Sequence, residues 1–305
     1  MSITIGLVGC GRWGKVHHAT LTGLKEQGHL DRLVVCDIDA HALKGLAADK
    51  HYALIENMLA EEQLTGVAVV TPPETHLALA RQVLQANLPV FVEKPLGSTG
   101  DEETVFLSTL PKDATVMVGY LLRYHAGLNR IKAAIDDRAM NIETLSYRRR
   151  TTRPKPVGAD PLATLAVHGL DTARYLTGDA LTQMEVRKLE ITASSANIWL
   201  WNHSSLITID VAWDAEEEQR TLAIQGTMSG AVLDFGTGEI AWYAGEGADE
   251  APLVEHFPSK PLEEEWLSFL RRVADGLPGV VPDSDSLLDV SAWLSQNNPM
   301  ESHPC

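Results

Sequence analysis

Cysteine is scarce. The chain has 305 residues and three cysteines, Cys10, Cys36 and Cys305, too few for a disulfide framework. Cys10 and Cys36 close two apolar runs that can be neighbouring strands, so the two can touch, but reduced packing thiols of a cytosolic protein are the expected state. No Cys/His spacing matches a metal site, and the side chains of the adjacent His17 and His18 diverge if they lie on a helix. Long apolar runs are missing too: none approaches the roughly 18 residues of a membrane helix. The N-terminus enters a strand directly, without the basic segment and cleavage site of a signal peptide, so a cytoplasmic location is expected. Positive charge is the third shortage. Lys and Arg number 25 against 41 acids, for a net charge of −16, which argues against nucleic acid or an anionic membrane as partner; solubility accounts for the acidity. No internal repeat or low-complexity segment is present. What remains is ordinary globular composition, 45% hydrophobic and 22% charged, with length for two domains of about 150 residues each.

The stretch that organises the chain is Thr4–Lys15, where an apolar run ends in Gly9-x-Gly11-x-x-Gly14, with Arg12 and Trp13 inside the turn and a helical pattern after it. A dinucleotide site asks for this arrangement. Gly9 permits a tight turn, Gly11 lets the backbone approach a pyrophosphate with no Cβ in the way, and Gly14 lets the helix sit close to the strand; the free N–H groups of the helix start then face the phosphates. The motif alone is weak. Here a strand precedes it and Leu33–Asp37 follows as a second strand ending in an acid, 23 residues past Gly14. A carboxylate at Asp37 can accept from both adenosine ribose hydroxyls and repels a 2′-phosphate, favouring NAD; Arg12 is a guanidinium that can tolerate NADP.

Residues 1–120 alternate strands (Ile3–Val8, Leu33–Asp37, Val67–Val70, Val90–Val92, Thr115–Val118) with helical stretches near Lys15–Glu26, Ala40–Lys50, Glu74–Ala86 and Asp101–Leu110. The strands are almost continuously apolar, as strands buried on both faces must be. Such alternation means right-handed crossovers and a doubly wound parallel sheet, whose ligands bind beyond the carboxyl ends of the strands. A second domain, residues 121–296, is expected to be α/β. It starts with a helix at His125–Asp136 and continues with strands of period-two alternation. Ile207, Ile209, Val211 and Trp213 share one face; Ile142–Arg149, Glu185–Ile191, Asn197–Trp201, Thr221–Gly226 and Ala231–Phe235 extend the series. That reads as an open, mainly antiparallel sheet with one covered face. A helix from Asp160-Pro161 to Gly178 precedes most of it. Helices Pro261–Ala274 and Ser284–Ser295 follow, and residues 297–305 form a loose tail.

Three places can carry chemistry. Glu93-Lys94-Pro95 follows the Val90–Val92 strand; an ammonium there reaches toward a nicotinamide held by the glycine turn and can hold a substrate oxygen, while Pro95 fixes the turn and can take the cis form. On the helix Pro161–Leu176, His168 shares a stripe with Thr164, Asp171 and Thr172, and a histidine at the edge of an apolar face can shuttle a proton near neutral pH. Arg148, Arg149, Arg150, Arg153 and Lys155 put five cations within eight residues; they can hold a phosphate, a carboxylate or a sugar nucleotide, or form a solvated loop or subunit contact. His76, in a Pro-rich turn, can line the cofactor cleft or sit on the surface of a first helical turn.

In order and spacing, these motifs resemble the glucose–fructose oxidoreductase / inositol dehydrogenase family: the Gly9–Gly14 turn, Asp37, Thr71-Pro72-Pro73 with His76, Glu93-Lys94-Pro95, Gly119-Tyr120 with Arg123-Tyr124, and His168-x-x-Asp171. The resemblance spans nearly the whole chain and is most specific through residue 125. It implies a Rossmann domain, a C-terminal α/β domain whose open sheet makes a homodimer or homotetramer, and hydride transfer between NAD(P) and a hydroxyl or carbonyl carbon of a sugar, cyclic polyol or nucleotide sugar. It carries the catalytic lysine to Lys94 and the proton shuttle to His168. Gly9, Gly11, Arg12, Trp13, Gly14, Asp37, Thr71, Pro72, His76, Glu93 and Arg123 fall at cofactor positions, and Lys94, Arg123, Arg150, Arg153, His168 and Asp171 are the candidate substrate contacts. One departure matters. The family's aspartate four residues before the histidine is Thr164 here, which hydrogen-bonds but holds no charge; Asp160 and Asp171 are the carboxylates one turn away on either side. A catalytically inert NAD(H)-binding sensor or assembly subunit, or a reductase of C=N or C=C bonds, is the alternative that this departure leaves open.

Overall fold

The computed structural model describes residues 2–244 and 251–298. They fall into two compact units, Met1–Leu121 with Leu262–Leu288, and Leu122–Pro261 with Asp289–Cys305. The helix near residues 261–274, expected with the second domain, therefore counts with the first.

The first unit is a parallel sheet. Its strands are β1 (Thr4–Val8), β2 (Arg32–Cys36), β3 (Lys50–Tyr52), β4 (Gly66–Val69), β5 (Val90–Glu93) and β6 (Thr115–Gly119). A seventh, Gly279–Val281, pairs in parallel with β6, and the spatial order is β3-β2-β1-β4-β5-β6 and then that strand. The order reverses between β1 and β4, which creates the switch-point crevice of doubly wound folds. Strands β1, β4, β5 and β6 are buried along their whole length, as their unbroken apolar sequences require; each such side chain contributes about 1.5–3 kcal/mol of burial. The connecting helices are α1 (Arg12–Glu26), α2 (Ala40–Leu43), α3 (Ile55–Glu61), α4 (Pro73–Gln85) and α5 (Gly100–Ser108). The helix expected over Ala40–Lys50 is a single turn. Asp39 caps it by accepting from the His41 N–H at 2.9 Å, and Lys44 (ψ 122°) and Gly45 (φ 81°) leave helical geometry, so the chain returns extended as β3.

The second unit holds one eight-stranded sheet: β7 (Thr144–Arg150), β8 (Glu185–Ile191), β9 (Ser195–Trp201), β10 (Leu206–Ala212), β11 (Gln219–Gln225), β12 (Ser229–Asp234), β13 (Glu239–Ala244) and β14 (Leu253–His256). The order is β14-β13-β12-β11-β7-β10-β9-β8. Every pairing is antiparallel except β7 with β10. Alternation sorts its faces: Leu145, Tyr147, Ile207, Ile209, Val211, Leu222 and Ile224 are buried, and helices α6 (Ala126–Asp136) and α7 (Val167–Thr177) belong to the same unit. α7 lies against the buried face, since a Cβ on Gly169 would come 2.6 Å from the Tyr147 ring and 2.8 Å from Ile209. The expected helix from Asp160 is not uniform: Leu162–Ala166 is a π-helical turn, with the Val167 N–H bonded to the Leu162 carbonyl, before α7 continues to Gly178 in the left-handed conformation. Helices α8 (Pro261–Asp275) and α9 (Ser284–Asn297) end the description. Of the expected tail, residues 299–305 lie outside the described residues. No helix among the described residues is long and apolar enough to cross a membrane.

Candidate functional site

The three glycines of the first turn have three different surroundings. Gly9 has φ +92°, and a Cβ there would strike the Val70 carbonyl at 2.4 Å. A Cβ on Gly14 would lie 2.0 Å from the Gly9 oxygen, so helix and strand meet at backbone contact. Around Gly11 a Cβ meets nothing within 4 Å. That space fronts the start of α1, where Gly11 is the N-cap and no side chain caps the helix. The first N–H groups of the helix thus lack intrahelical acceptors, with the positive end of the dipole behind them. These residues fit a dinucleotide pyrophosphate. Asp37 follows β2 and is half-buried; its carboxylate accepts from the Cys10 N–H at 2.6 Å and the Asp39 N–H at 2.8 Å. It thereby pins the glycine turn and retains lone pairs for further donors. Arg12 is exposed, and Trp13 is 40% exposed. Cys10 and Cys36 are buried free thiols, the first against the second's carbonyl at 3.9 Å. Burial, then the Asp37 charge, pushes both up to about 12, so they remain thiols.

Beyond β5 the side chains are fixed by a network the sequence did not announce. Glu93 is buried and accepts the Trp13 indole N–H at 2.7 Å and the Lys94 backbone N–H at 3.0 Å. His17 Nε2 lies 2.9 Å from the same carboxylate, while His17 Nδ1 faces the Trp266 indole N–H at 3.1 Å. An indole only donates. Nδ1 must therefore accept, and Nε2 carries the proton given to Glu93. Burial raises the Glu93 carboxyl, but the His17 and Trp13 hydrogen bonds and the Lys94 charge outweigh it and hold it below the ordinary range. Trp266, from α8, stacks on Phe91 at 5.0 Å, and Gly119 leaves room for the carboxylate, 2.9 Å from where its Cβ would be. Lys94 is half-buried and its bond to Pro95 is cis. His76 is buried and spans two turns, with Nδ1 2.8 Å from the Pro95 carbonyl and Nε2 2.7 Å from that of Thr71. Thr71 and Pro72 thus lie at the end of β4, tied by His76 to the loop that carries Lys94. The spacing of Trp13 and His17, one helical turn apart, was the available signal for this network. Trp266 offered none.

In the second unit Arg123 grips Asp171 with two nitrogens, Nε at 3.0 and 3.1 Å and Nη2 at 2.7 Å. Asp171 is 2% exposed, so this is a buried bidentate pair that ties the 3-10 turn Leu121–Tyr124 to α7. His168 and Thr164 are half-buried. Thr164 lies within the π turn and His168 in the first turn of α7. Asp160 caps this helix, accepting the Leu162 N–H at 3.0 Å and the Asn298 amide at 2.8 Å. The arginine run is split by alternation: Arg148 and Arg150 lie on the open face with Asp210, at 3.5 and 3.1 Å, and Arg149 faces the other way. Arg153 is exposed in the loop after β7. Among the described residues no His, Cys, Asp or Glu group could hold a metal ion.

A parallel doubly wound unit with a glycine turn at its switch point, followed by a separate mixed-sheet unit, defines the class: a nucleotide-binding α/β protein. Residues 3–120 match "Oxidoreductase family, NAD-binding Rossmann fold", so this part of the chain is similar to the Gfo/Idh/MocA oxidoreductases. The chain is 27% identical to inositol 2-dehydrogenase of Rhizobium meliloti over 190 residues, 59% of this chain and 56% of that protein. It is 23% identical to UDP-N-acetylglucosamine 3-dehydrogenase of Acidithiobacillus ferrooxidans over 240 residues, 75% of this chain and 73% of that protein. The alignment with the inositol 2-dehydrogenase thus spans a little over half of that protein. In fold it resembles levoglucosan dehydrogenase in complex with NADH and levoglucosan: TM-score 0.82 and 17% identity, covering 99% of this chain and 98% of that one.

Proposed function

We propose that this protein is an NAD-dependent oxidoreductase that moves a hydride between the nicotinamide and a hydroxyl or carbonyl carbon of a carbohydrate-like small molecule. The observation that carries the reading is the open space at Gly11 in front of an uncapped helix start, in a turn whose other glycines are packed. When bound, NAD accepts the hydride of a carbinol carbon or returns it. The N–H groups at the start of α1 bind the pyrophosphate, and the Asp37 carboxylate accepts from the ribose hydroxyls, which favours NAD over NADP. The Lys94 ammonium holds and polarises the substrate oxygen, its backbone fixed through Glu93 and its turn through His76. His168 gives or takes the hydroxyl proton. Relatives that act on inositol and on a UDP-linked sugar support the substrate class. A homodimer or homotetramer joined through the open sheet face is the assembly we assign.

The test is Lys94→Ala. Turnover on a panel of cyclic polyols and keto-sugars should fall by about 10²–10⁴-fold, while NADH affinity, read by fluorescence, stays within a few-fold. Undiminished turnover removes Lys94 from the mechanism. Thr164 favours a second reading, a protein that binds NAD(H) without turnover; stereospecific oxidation of preloaded NADH by any member of the panel ends it.

A further inference from the structure

The arginine run at the end of β7 has one member in an unusual place. In the antiparallel pairing of β7 with β11, Arg149 stands directly opposite Arg220, and the parallel pairing with β10 sets Val211 beside it. The pair closes the row formed by Leu145 and Tyr147 opposite Ile224 and Leu222, all buried. Arg149 therefore lies on the same sheet face as Tyr147, against which α7 packs through Gly169. Like charges directly opposite on a sheet are destabilising, and a half-buried guanidinium is costly unless paired. Arg220 has a partner: Glu218 accepts from its Nε at 2.8 Å and lies 2.7 Å from its Nη2. Arg149 has none. Among the described residues its guanidinium makes no hydrogen bond or ion pair, and neither does the hydroxyl of Tyr147 two residues before it on the same face. Burial, together with the neighbouring Arg220 and Arg153 charges, lowers the Arg149 pKa, and the Tyr147 phenol is pushed up to about 12 chiefly by burial. Both groups thus remain donors at neutral pH. Of the charges that act most on Arg149, two are the guanidinium groups of Arg220 and Arg153 and one is the Glu218 carboxylate, already bound to Arg220.

We propose that Arg149, supported by Arg153, Arg220 and the Tyr147 hydroxyl, is a subsite for an oxyanion carried by the substrate, so that the protein selects acidic sugars, bearing a carboxylate or a phosphate, over neutral ones. A planar guanidinium fits either oxyanion with two parallel hydrogen bonds. The anion supplies the negative charge that the fold withholds from Arg149, so the cost of the like-charge pair falls on the free protein and is relieved by the ligand. As a selector of substrate, the subsite rests on the oxidoreductase reading; as an anion site it does not.

The experiment is calorimetric binding of D-glucuronate, D-glucose 6-phosphate and D-glucose to the NAD-loaded full-length protein, with melting temperatures of the free protein alongside. The wild type should bind one of the two anions at least about tenfold more tightly than glucose, and the preferred one identifies carboxylate or phosphate as the source. Arg149→Met should abolish the preference yet melt no lower than the wild type, since it removes a like-charge pair; a merely structural arginine would lower the melting temperature. Arg149→Lys should keep part of the preference, and Lys112→Met, at an exposed cation of the first unit, all of it. Equal binding of the three probes, a preference that survives Arg149→Met, or its loss in Lys112→Met would each overturn the proposal. Binding needs no hydride transfer. Anion preference without turnover therefore rejects only the oxidoreductase reading, and turnover of neutral sugars without anion preference rejects only the subsite.

Discussion

At the carboxyl edge of the first unit's sheet, the groups suited to a ligand are main-chain N–H groups bared by glycine. At the end of β7 in the second unit they are arginine side chains distributed by strand alternation. The first arrangement is set by residue identity at a few adjacent positions: Gly9 at φ +92°, Gly14 at backbone contact, Gly11 over open space. The second is set by register. A one-residue shift of β7 would turn Arg149 to the open face and Arg148 and Arg150 to the covered one, because side chains alternate with period two. Backbone sites of the first kind resist drift, since almost no other residue fits. Side-chain arrangements of the second kind are free to change while the strand pairing is kept.

The sharpest way to break this contrast is to remove a side chain that fixes the second unit. Arg123→Met strips the guanidinium from the buried Asp171, whose carboxylate it meets at 2.7 Å. Breaking a buried pair in this way costs about 3–5 kcal/mol, read as a lower urea midpoint at an unchanged m-value. If Arg123→Met costs no stability, the pair is not what holds α7 to the turn before α6.

The glycines give the next effects, and here the two should separate. Gly14→Ala drives a methyl to within 2.0 Å of the Gly9 carbonyl, beyond ordinary overpacking, and should cost about 3 kcal/mol or more of stability. Gly11→Ala meets nothing within 4 Å, so apo stability should stay within about 0.5 kcal/mol. NAD affinity should nevertheless fall about tenfold, or ~1.4 kcal/mol, because the methyl enters the space left for the pyrophosphate. Equal effects of the two substitutions on apo stability would show that the turn is not divided into packing and ligand glycines.

The same contrast explains what could be read from the sequence. The glycine turn, the buried parallel strands and the alternating face of β10 were legible because local sterics and period dictate them. The strand Gly279–Val281 was not, since three residues between prolines carry no period. Trp266 reaches His17 across 249 residues of sequence, and nothing near either residue announces the other. The π turn at Leu162–Ala166 was hidden because its composition suits an α-helix equally well. The five cations near residue 150 were visible as a cluster, but their division between two faces was fixed only when β7 acquired its partners.

The smallest effect concerns a histidine that neither unit's ligand chemistry uses. His125 caps α6, its Nδ1 accepting from the Gly127 and Leu128 N–H groups at 3.1 and 3.4 Å. The cap works only while that nitrogen is unprotonated. Burial lowers the His125 pKa from its usual 6.5, against a smaller opposing hydrogen bond to the Phe235 backbone. The unfolded chain therefore takes up this proton at a higher pH than the folded one. The stabilisation is fully present above the unfolded value and is lost as pH falls below about 6.5, at no more than about 1.4 kcal/mol per pH unit. His125→Asn keeps a capping oxygen that does not titrate. Urea unfolding at pH 7.5 and 5.5 should show a smaller loss of stability for this variant than for the wild type. An identical loss in both would mean that other groups carry the acid sensitivity of the second unit and that the imidazole cap is indifferent to its proton.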